Sequence, residues 1–541
     1  METAVPLPLQ PRFITLTLAV LVTLLFALAL ATLPYSTWLL AGLVVAGGLV
    51  ALGIHDLTQK NHSILRNYPI SAHLRFIFEA IRPELRQYFF EGDKDGTPFS
   101  RDRRAVVYQR AKGALDVRPF GTQYDVYAIG YEWMHHSIAP RPVAKEPFRT
   151  MIGDAECAKP YSASVFNISA MSFGSLSANA IRALNGGAKL GGFAHDTGEG
   201  GYSPYHREMG GDIIWEIGSG YFGCRNPDGT FNADKFAEGA ANSQVKMVEL
   251  KLSQGAKPGH GGVLPAPKVS KEISITRGVP IGEDCISPSQ HSAFTTPIEM
   301  MKFIAEMRRL SGGKPAGFKL CIGHEWEFLA ICKAMLETGI YPDFIVVDGK
   351  EGGTGAAPME FIDHIGKPMR QGLYFVHNAL IGIGARHRIK IGAAGKIITA
   401  FDIIRAMVLG ADWCNAARGF MFAVGCIQSQ SCHTDRCPTG VATQDPRRQR
   451  ALVVPDKMQR VANFHRATLR ELAAMTAAAG LDHPREFKPI HISRRVTASD
   501  VVTFADVYPP LIENELLTET AKLRWKQPWD LANPHSFRAT A

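Results

Sequence analysis

The run Phe344-Ile-Val-Val-Asp348-Gly-Lys-Glu-Gly-Gly-Thr-Gly-Ala-Ala-Pro358 decides how the chain folds. Its apolar, β-branched start reads as a fully buried strand, and the glycines that follow at once read as a loop at the strand's carboxyl end. The same grammar recurs on both sides. Strands are predicted at Val165–Met171, Gly192–Thr197, Val245–Leu252, Ala316–Cys321, Phe344–Val347, Arg388–Gly392 and Trp413–Ala416, with a weaker one near Cys285–Ile286. Helices predicted at Leu176–Lys189, Thr296–Leu310, Glu325–Thr338 and Phe401–Leu409 alternate with them. Strands alternating with helices are parallel βα units, and about eight of them over roughly 280 residues predict an α/β fold, a (β/α)8 TIM barrel rather than an open sheet. Polar and glycine-rich residues fall just after the strands, at what would be the catalytic mouth.

Outward from the barrel, residues from Phe13 to Leu33 and from Thr37 to Ile54 are almost wholly apolar. Each run is long enough to cross a hydrocarbon core of ~30 Å. The first is too long for a removed signal peptide, and the second follows it without a cleavage site. A two-helix transmembrane hairpin returns both ends to one side. Arg12 before it and Lys60, Arg66 and Arg75 after it put that side in the cytoplasm, so the expected location is the inner (cytoplasmic) membrane with the catalytic domain facing inward. The expected division is a hairpin over 1–55, a helical and irregular linker over 56–159, the barrel with a cysteine loop over 160–447 and a C-terminal extension over 448–541. The extension holds one helix, Lys457–Ala479, is otherwise irregular, and is assigned packing or homo-oligomer contacts.

A net charge of +9 suits anionic lipid, a dicarboxylate substrate, an acidic electron-transfer protein or simply a solvated surface. There is no zinc-finger spacing, long basic run or aromatic–basic alternation, so no nucleic-acid partner is expected. Six of the nine cysteines stand singly (Cys157, Cys224, Cys285, Cys321, Cys332 and Cys414) and read as buried small hydrophobes. An odd number in a long chain argues for free thiols and not for a disulfide framework. The other three form Cys426-Ile-Gln-Ser-Gln-Ser-Cys432-His-Thr-Asp-Arg-Cys437-Pro, a C-x5-C-x4-C-P spacing. Three local thiolates suit a three-iron cluster, and a proline after the last ligand is common in such loops. Spacing alone leaves open three ordinary reduced cysteines, or a zinc site completed by His433, although zinc sites usually show closer cysteine pairs.

Gly392-Ala-Ala-Gly395-Lys and Ala417-Arg-Gly-Phe420 occupy the positions after strands seven and eight where barrels hold phosphate; plain tight turns are the alternative. No G-x-G-x-x-G follows an early strand, which argues against a Rossmann domain.

Taken in order, these segments resemble the FMN-binding domain of glutamate synthases. Ala170-Met-Ser-Phe-Gly-Ser175 is similar to the family's first strand and turn, and Thr197-Gly-Glu-Gly-Gly201 to its second loop. Gly218-Ser-Gly-Tyr-Phe-Gly223 is similar to a short stretch before the third strand, and Gln254-Gly-Ala-Lys-Pro-Gly259 with Gly261-Gly262 to a characteristic loop. The cysteine spacing, followed by Pro438-Thr-Gly-Val-Ala-Thr-Gln-Asp-Pro446, resembles the iron–sulfur loop. The likeness runs over 160–447 and is nearest to a short, single-chain subgroup with an N-terminal membrane segment. It implies a [3Fe-4S] cluster on Cys426, Cys432 and Cys437. It also implies FMN held by Ala170, Met171, Ser172, Thr197, Ser219, Lys251, Lys319, Gly352, Gly353, Thr354, Gly395, Lys396, Ala417 and Arg418. In the family, ammonia and 2-oxoglutarate form an imine that is reduced to the amino acid. Lys251 and Arg277 would hold the dicarboxylate, and Glu199 would handle protons. An electron donor is implied: a ferredoxin, a quinone-linked partner or an NAD(P)H-oxidising subunit.

Three departures qualify the likeness. No glutamine-hydrolysing domain precedes residue 160, so glutamine is not expected to be the direct nitrogen source. Val263 replaces a family glutamine that contacts the oxoacid, which changes the pocket for the 2-oxoacid. An aspartate usual before the strand-seven glycines is absent from Gly392-Ala-Ala. Rival readings are an amine-transferring relative such as an N-methylglutamate synthase, or a membrane-bound flavin and iron–sulfur electron relay.

Overall fold

The computed structural model describes residues 6–153, 156–518 and 525–540, and divides into two compact units, Met1–Arg101 and Asp102–Ala541. In the first unit, helices Ile14–Thr32 and Thr37–Thr58 are long and apolar enough to cross a membrane. They pack closely because Gly42 is bare: a Cβ there would stand 2.6 Å from the Phe26 ring. Beyond them, Asp56 accepts hydrogen bonds from the Ile70 N–H at 2.9 Å and His73 Nε2 at 3.0 Å, tying the second helix to helix Ala72–Leu85.

The second unit is built on a closed parallel barrel whose strands follow one another in chain order. They are β1 (Phe166–Ile168), β2 (His195–Asp196), β3 (Ile213–Ile217), β4 (Val245–Lys251), β5 (Ala316–Leu320), β6 (Phe344–Asp348), β7 (Lys390–Ala394) and β8 (Trp413–Ala416). The helices between and after them are α1 (Ala178–Gly191), α2 (Pro204–Glu208), α3 (Ala233–Ala241), α4 (Pro297–Leu310), α5 (Glu325–Thr338), α6 (Met369–Gly382), α7 (Ala400–Val408) and α8 (Arg418–Val424). Local chemistry starts them where the sequence signals a start. Thr296 and Glu299 form a capping box on α4, as Thr399 and Asp402 do on α7. The long helix α9 (Val454–Ala478) lies on α1, where Gly186 leaves room for Met458 and Gly187 for Val461. Tyr161, Ile214, Met247, Phe344 and Trp413 pack together in the core with almost no exposure.

The structure corrects the sequence reading at three places. Cys285–Ile286 is a strand, but it pairs antiparallel with Val263–Leu264 outside the barrel. The strand passed over is β3, whose apolar run Ile-Ile-Trp is interrupted by Glu216 and so lacks the uniform hydrophobicity expected of a buried parallel strand. Gly218–Gly223 therefore follows the third barrel strand, and Val245–Lys251 is the fourth. The C-terminal extension is less irregular than expected: Ile492–Arg495 pairs with Val501–Thr503 and with Glu132–Met134 in a three-stranded sheet.

Candidate active site

The eight strand ends bring the expected residues to one rim: Ala170, Met171 and Ser172 after β1, Thr197 and Glu199 after β2, and Ser219 after β3. Lys251 lies on β4 and Lys319 on β5; Gly352, Gly353 and Thr354 follow β6, Gly395 and Lys396 follow β7, and Ala417 and Arg418 follow β8. A cleft opens there, lined by Glu199, Ser219, Lys251, Gln254, His260 and Gly262 among others. Glycine is needed at its wall. A Cβ on Gly262 would overlap Glu199 Oε1, and one on Gly218 would stand 2.8 Å from Glu199 Cβ.

Behind the cleft runs a network of buried charge that the sequence reading only half identified. Lys251 Nζ lies 3.2 Å from Glu199 Oε2 and 3.7 Å from Glu216 Oε1. Lys319 Nζ lies 2.8 Å from Glu216 Oε2. Asp196, Glu216 and Glu249 converge with carboxyl oxygens within 4.8 Å of one another, and all three are buried. Burial alone would raise Glu216, but Lys319 and then Lys251 hold it below the ordinary carboxylate range. Glu249 has no such pairing, so burial and then Asp196 push it well above that range, with Glu216 adding to the rise. The missed acids had a visible signal: each is an ionisable residue inside an apolar strand run, where a charge persists only with a purpose or a partner. Lys257 was missed too. It is 1% exposed, its Nζ has no hydrogen-bond partner among the described residues, and burial lowers its pKa while Glu199 nearby works against that.

Arg277 serves a different place from Lys251. Its guanidinium donates to the Phe173 carbonyl at 3.0 Å and the Ser172 hydroxyl at 3.3 Å, supporting the turn after β1 directly behind Gly200. Thr197 is occupied in holding strands, accepting from the Glu216 N–H at 3.1 Å, and Ser219 donates to the Pro288 carbonyl. Val263 presents no polar group and is held in the small hairpin with Ile286. At Gly392, where the aspartate is absent, the Trp413 indole fills the space a side chain would take.

The late loops bring the cations Lys396 and Arg418 close together. A Cβ on Gly353 would stand 2.8 Å from Arg418 Nη1, Gly395 takes φ +157°, and Lys396 takes a left-handed φ of +51°. Arg418 donates to the Glu351 carbonyl, and burial lowers its pKa to about 10 despite Asp348 and Glu351. Two cations beside glycine-bearing backbone suit a phosphate dianion, with Met369 and the Glu351 carboxylate standing where a Cβ on Gly395 would come.

The three cysteines form a single neighbourhood. Burial raises Cys426 to about 12, with the Cys432 and Cys437 charges contributing. Cys437 is held below its ordinary value: burial opposes this, but N–H groups of Ala442, Thr439 and Val441 and the Thr439 hydroxyl outweigh it. Cys432 lies against the β6 loop, where a Cβ on Gly355 would be 3.6 Å from its own Cβ. The loop bends through left-handed Gln428, Gln430 and Asp435. Among the described residues, no three of the Cys426, Cys432 and Cys437 sulfurs and the His433 ring nitrogens come within 4.8 Å of one another.

A family model described as a conserved region in glutamate synthase matches residues 139–482. The glutamate synthase large subunit-like protein YerD of Bacillus subtilis is 38% identical over 489 residues, covering 83% of this chain and 93% of that protein. An archaeal-type glutamate synthase (NADPH) of Thermotoga neapolitana is 36% identical over 314 residues, covering 58% of this chain and 59% of that one. An archaeal glutamate synthase (NADPH) of Methanocaldococcus jannaschii is 34% identical over 316 residues, with the same shares of 58% and 59%. The chain thus spans less than two thirds of the last two proteins but nearly all of the first. With a family match over more than half its length on a barrel whose eight strand ends assemble one site, the chain belongs to the glutamate synthase family and is a glutamate synthase-like oxidoreductase.

Proposed function

We propose that the chain reduces a 2-imino acid, formed from 2-oxoglutarate or a similar 2-oxoacid and ammonia, using FMN at the barrel mouth and a [3Fe-4S] cluster on Cys426, Cys432 and Cys437. The observation that carries this reading is the placement of Lys251, which ties cleft-wall Glu199 to buried Glu216 at the end of β4. Bound FMN would supply a hydride, and the group of Gly353, Gly395, Lys396 and Arg418 suits its phosphate. Two cationic groups serve a dicarboxylate: Lys251 at the cleft wall and Lys257 buried beneath the loop, whose Nζ has no hydrogen-bond partner among the described residues. An incoming carboxylate would share Lys251 with Glu199, and Glu199, once it has taken up a proton, would give it to the hydroxyl that leaves as the imine forms. Arg277 keeps the turn after β1 in place. Cys432 beside the β6 loop makes the cysteine loop the natural entry for electrons from a ferredoxin or an NAD(P)H-oxidising subunit. The two apolar helices support a membrane anchor, and Arg12, Lys60, Arg66 and Arg75 flanking them support a cytoplasmic barrel.

The test is anaerobic reduction of the purified chain followed by 2-oxoglutarate and ammonium. Flavin reoxidation with glutamate formed supports the synthase. A flavin that stays reduced under every 2-oxoacid and amine offered would leave the electron relay.

A further inference from the structure

Inside the barrel, charges of opposite sign do not balance. Asp196 on β2, Glu216 on β3 and Glu249 on β4 are each 1% exposed, with oxygens within 4.8 Å of one another. Asp348 at the end of β6 adds another buried carboxyl close to Lys319. The ammonium groups facing this set are Lys251 and Lys319, and both lie on Glu216, at 3.7 Å and 2.8 Å. Neither Glu249 oxygen and only one Asp196 oxygen has a conventional hydrogen-bond partner among the described residues. His195 is fully buried, and burial lowers its pKa to about 3, so it offers the acids no countercharge. Carboxylates this close in a dry interior cannot all be ionised; at least one proton must be shared among them.

We infer that Asp196, Glu216 and Glu249 hold exchangeable protons as one unit and deliver a proton to the cleft through Lys251 and Glu199. The inference rests on reading the cleft as the substrate site. The proton count closes. Glu249 passes its carboxyl proton to a Glu216 oxygen. Lys251 gives one N–H proton to Glu199 Oε2 across 3.2 Å and regains one from Glu216. The ammonium is restored, the interior gains one negative charge, and the cleft wall carries an acid. Uptake of one proton from solvent by the reverse route refills the store. Such a store suits a reaction in which a hydroxyl must leave as water while negative charge accumulates at the barrel mouth. The environments agree: burial and then Glu216 raise Asp196 to about 7, so it carries its proton below that pH and loses it above, and burial and then Asp196 hold Glu249 well above the ordinary carboxylate range.

Infrared difference spectra of the full chain without substrate test this directly. Protonated carboxyl groups show a C=O band that shifts in heavy water. The wild type should show such a band that Glu249→Gln lacks, and a second should grow as pH falls through about 7 and be missing from Asp196→Asn. Lys251→Met should retain the Glu249 band but slow its hydrogen–deuterium exchange severalfold. Absence of any protonated carboxyl band at neutral pH, or bands that survive both acid variants, overturns the store; unchanged exchange in Lys251→Met overturns the route. These bands need no turnover, so a chain that makes no glutamate yet shows them would sink only the proposed reaction.

Discussion

Lys319 Nζ lies 2.8 Å from Glu216 Oε2 with both side chains shut from solvent, so a buried ion pair links β5 to β3 past the strand between them. A buried pair of this kind is weak evidence for stability as it stands, because both ions are desolvated, but removing one partner leaves a charge stranded. Lys319→Met is therefore expected to lower the unfolding free energy by about 3–5 kcal/mol, with the loss partly recovered in Lys319→Met/Glu216→Leu. Chemical denaturation followed by the fluorescence of buried Trp215 and Trp413 reads both variants. A single variant as stable as wild type would mean that Glu216 simply takes up a proton.

Gly262→Ala separates catalysis from folding. The added methyl overlaps Glu199 Oε1, so the carboxylate must swing away from Lys251. Turnover should fall by about 100-fold or more, within the range for a displaced acid–base group, while the denaturation midpoint moves little. Normal turnover would take Glu199 out of the chemistry.

Val263→Gln restores a polar arm near the cleft where this chain has an aliphatic one. Preference for 2-oxoglutarate over a 2-oxoacid without the second carboxylate should change by about 1–3 kcal/mol, roughly ten- to a hundredfold in the ratio of kcat/KM values. An unchanged ratio would show that position 263 does not reach the substrate.

Acid sensitivity has an identifiable source at Asp402. Burial would raise this carboxyl, but Arg103 at 2.6 Å and Arg405 hold it well below the ordinary range. A depressed folded-state pKa gives stability that is complete above the unfolded value of about 4 and is lost as pH falls through that region toward the folded value. Asp402→Asn should be less stable than wild type at neutral pH and lose less on acidification. Parallel stability curves from neutral pH to about pH 3 would assign the acid response elsewhere.

The barrel was legible because most of its strands are uninterrupted apolar runs with a glycine loop at the carboxyl end, as at Phe344–Asp348. β3 was not, because Glu216 breaks the run, and the reason for Glu216 lies two strands away in Lys319, which no local pattern can show. For the same reason the motif residues were found while Asp196, Glu249 and Lys257 were not: their meaning comes from burial together. Arg277 shows the converse. Its position was found, yet the side chain turns to the Phe173 carbonyl, and direction depends on packing that sequence order does not carry.

The cysteine loop yields the prediction that separates its metal chemistry from the flavin's. Cys437 is the one thiol of the three held below its ordinary value, by N–H groups from Ala442, Thr439 and Val441, so it is the readiest thiolate for binding iron. Serine at position 437 keeps the loop's shape but offers iron a poor ligand. Anaerobically purified Cys437→Ser should lose the electron paramagnetic resonance signal of an oxidised three-iron cluster while keeping a full flavin absorption spectrum. Reduction of that flavin by dithionite should persist, and reduction by a protein donor should slow sharply if electrons enter beside Cys432 and the β6 loop. A variant that loses flavin together with iron would instead mean that the loop's main duty is to hold the β6 loop, through the contact at Gly355.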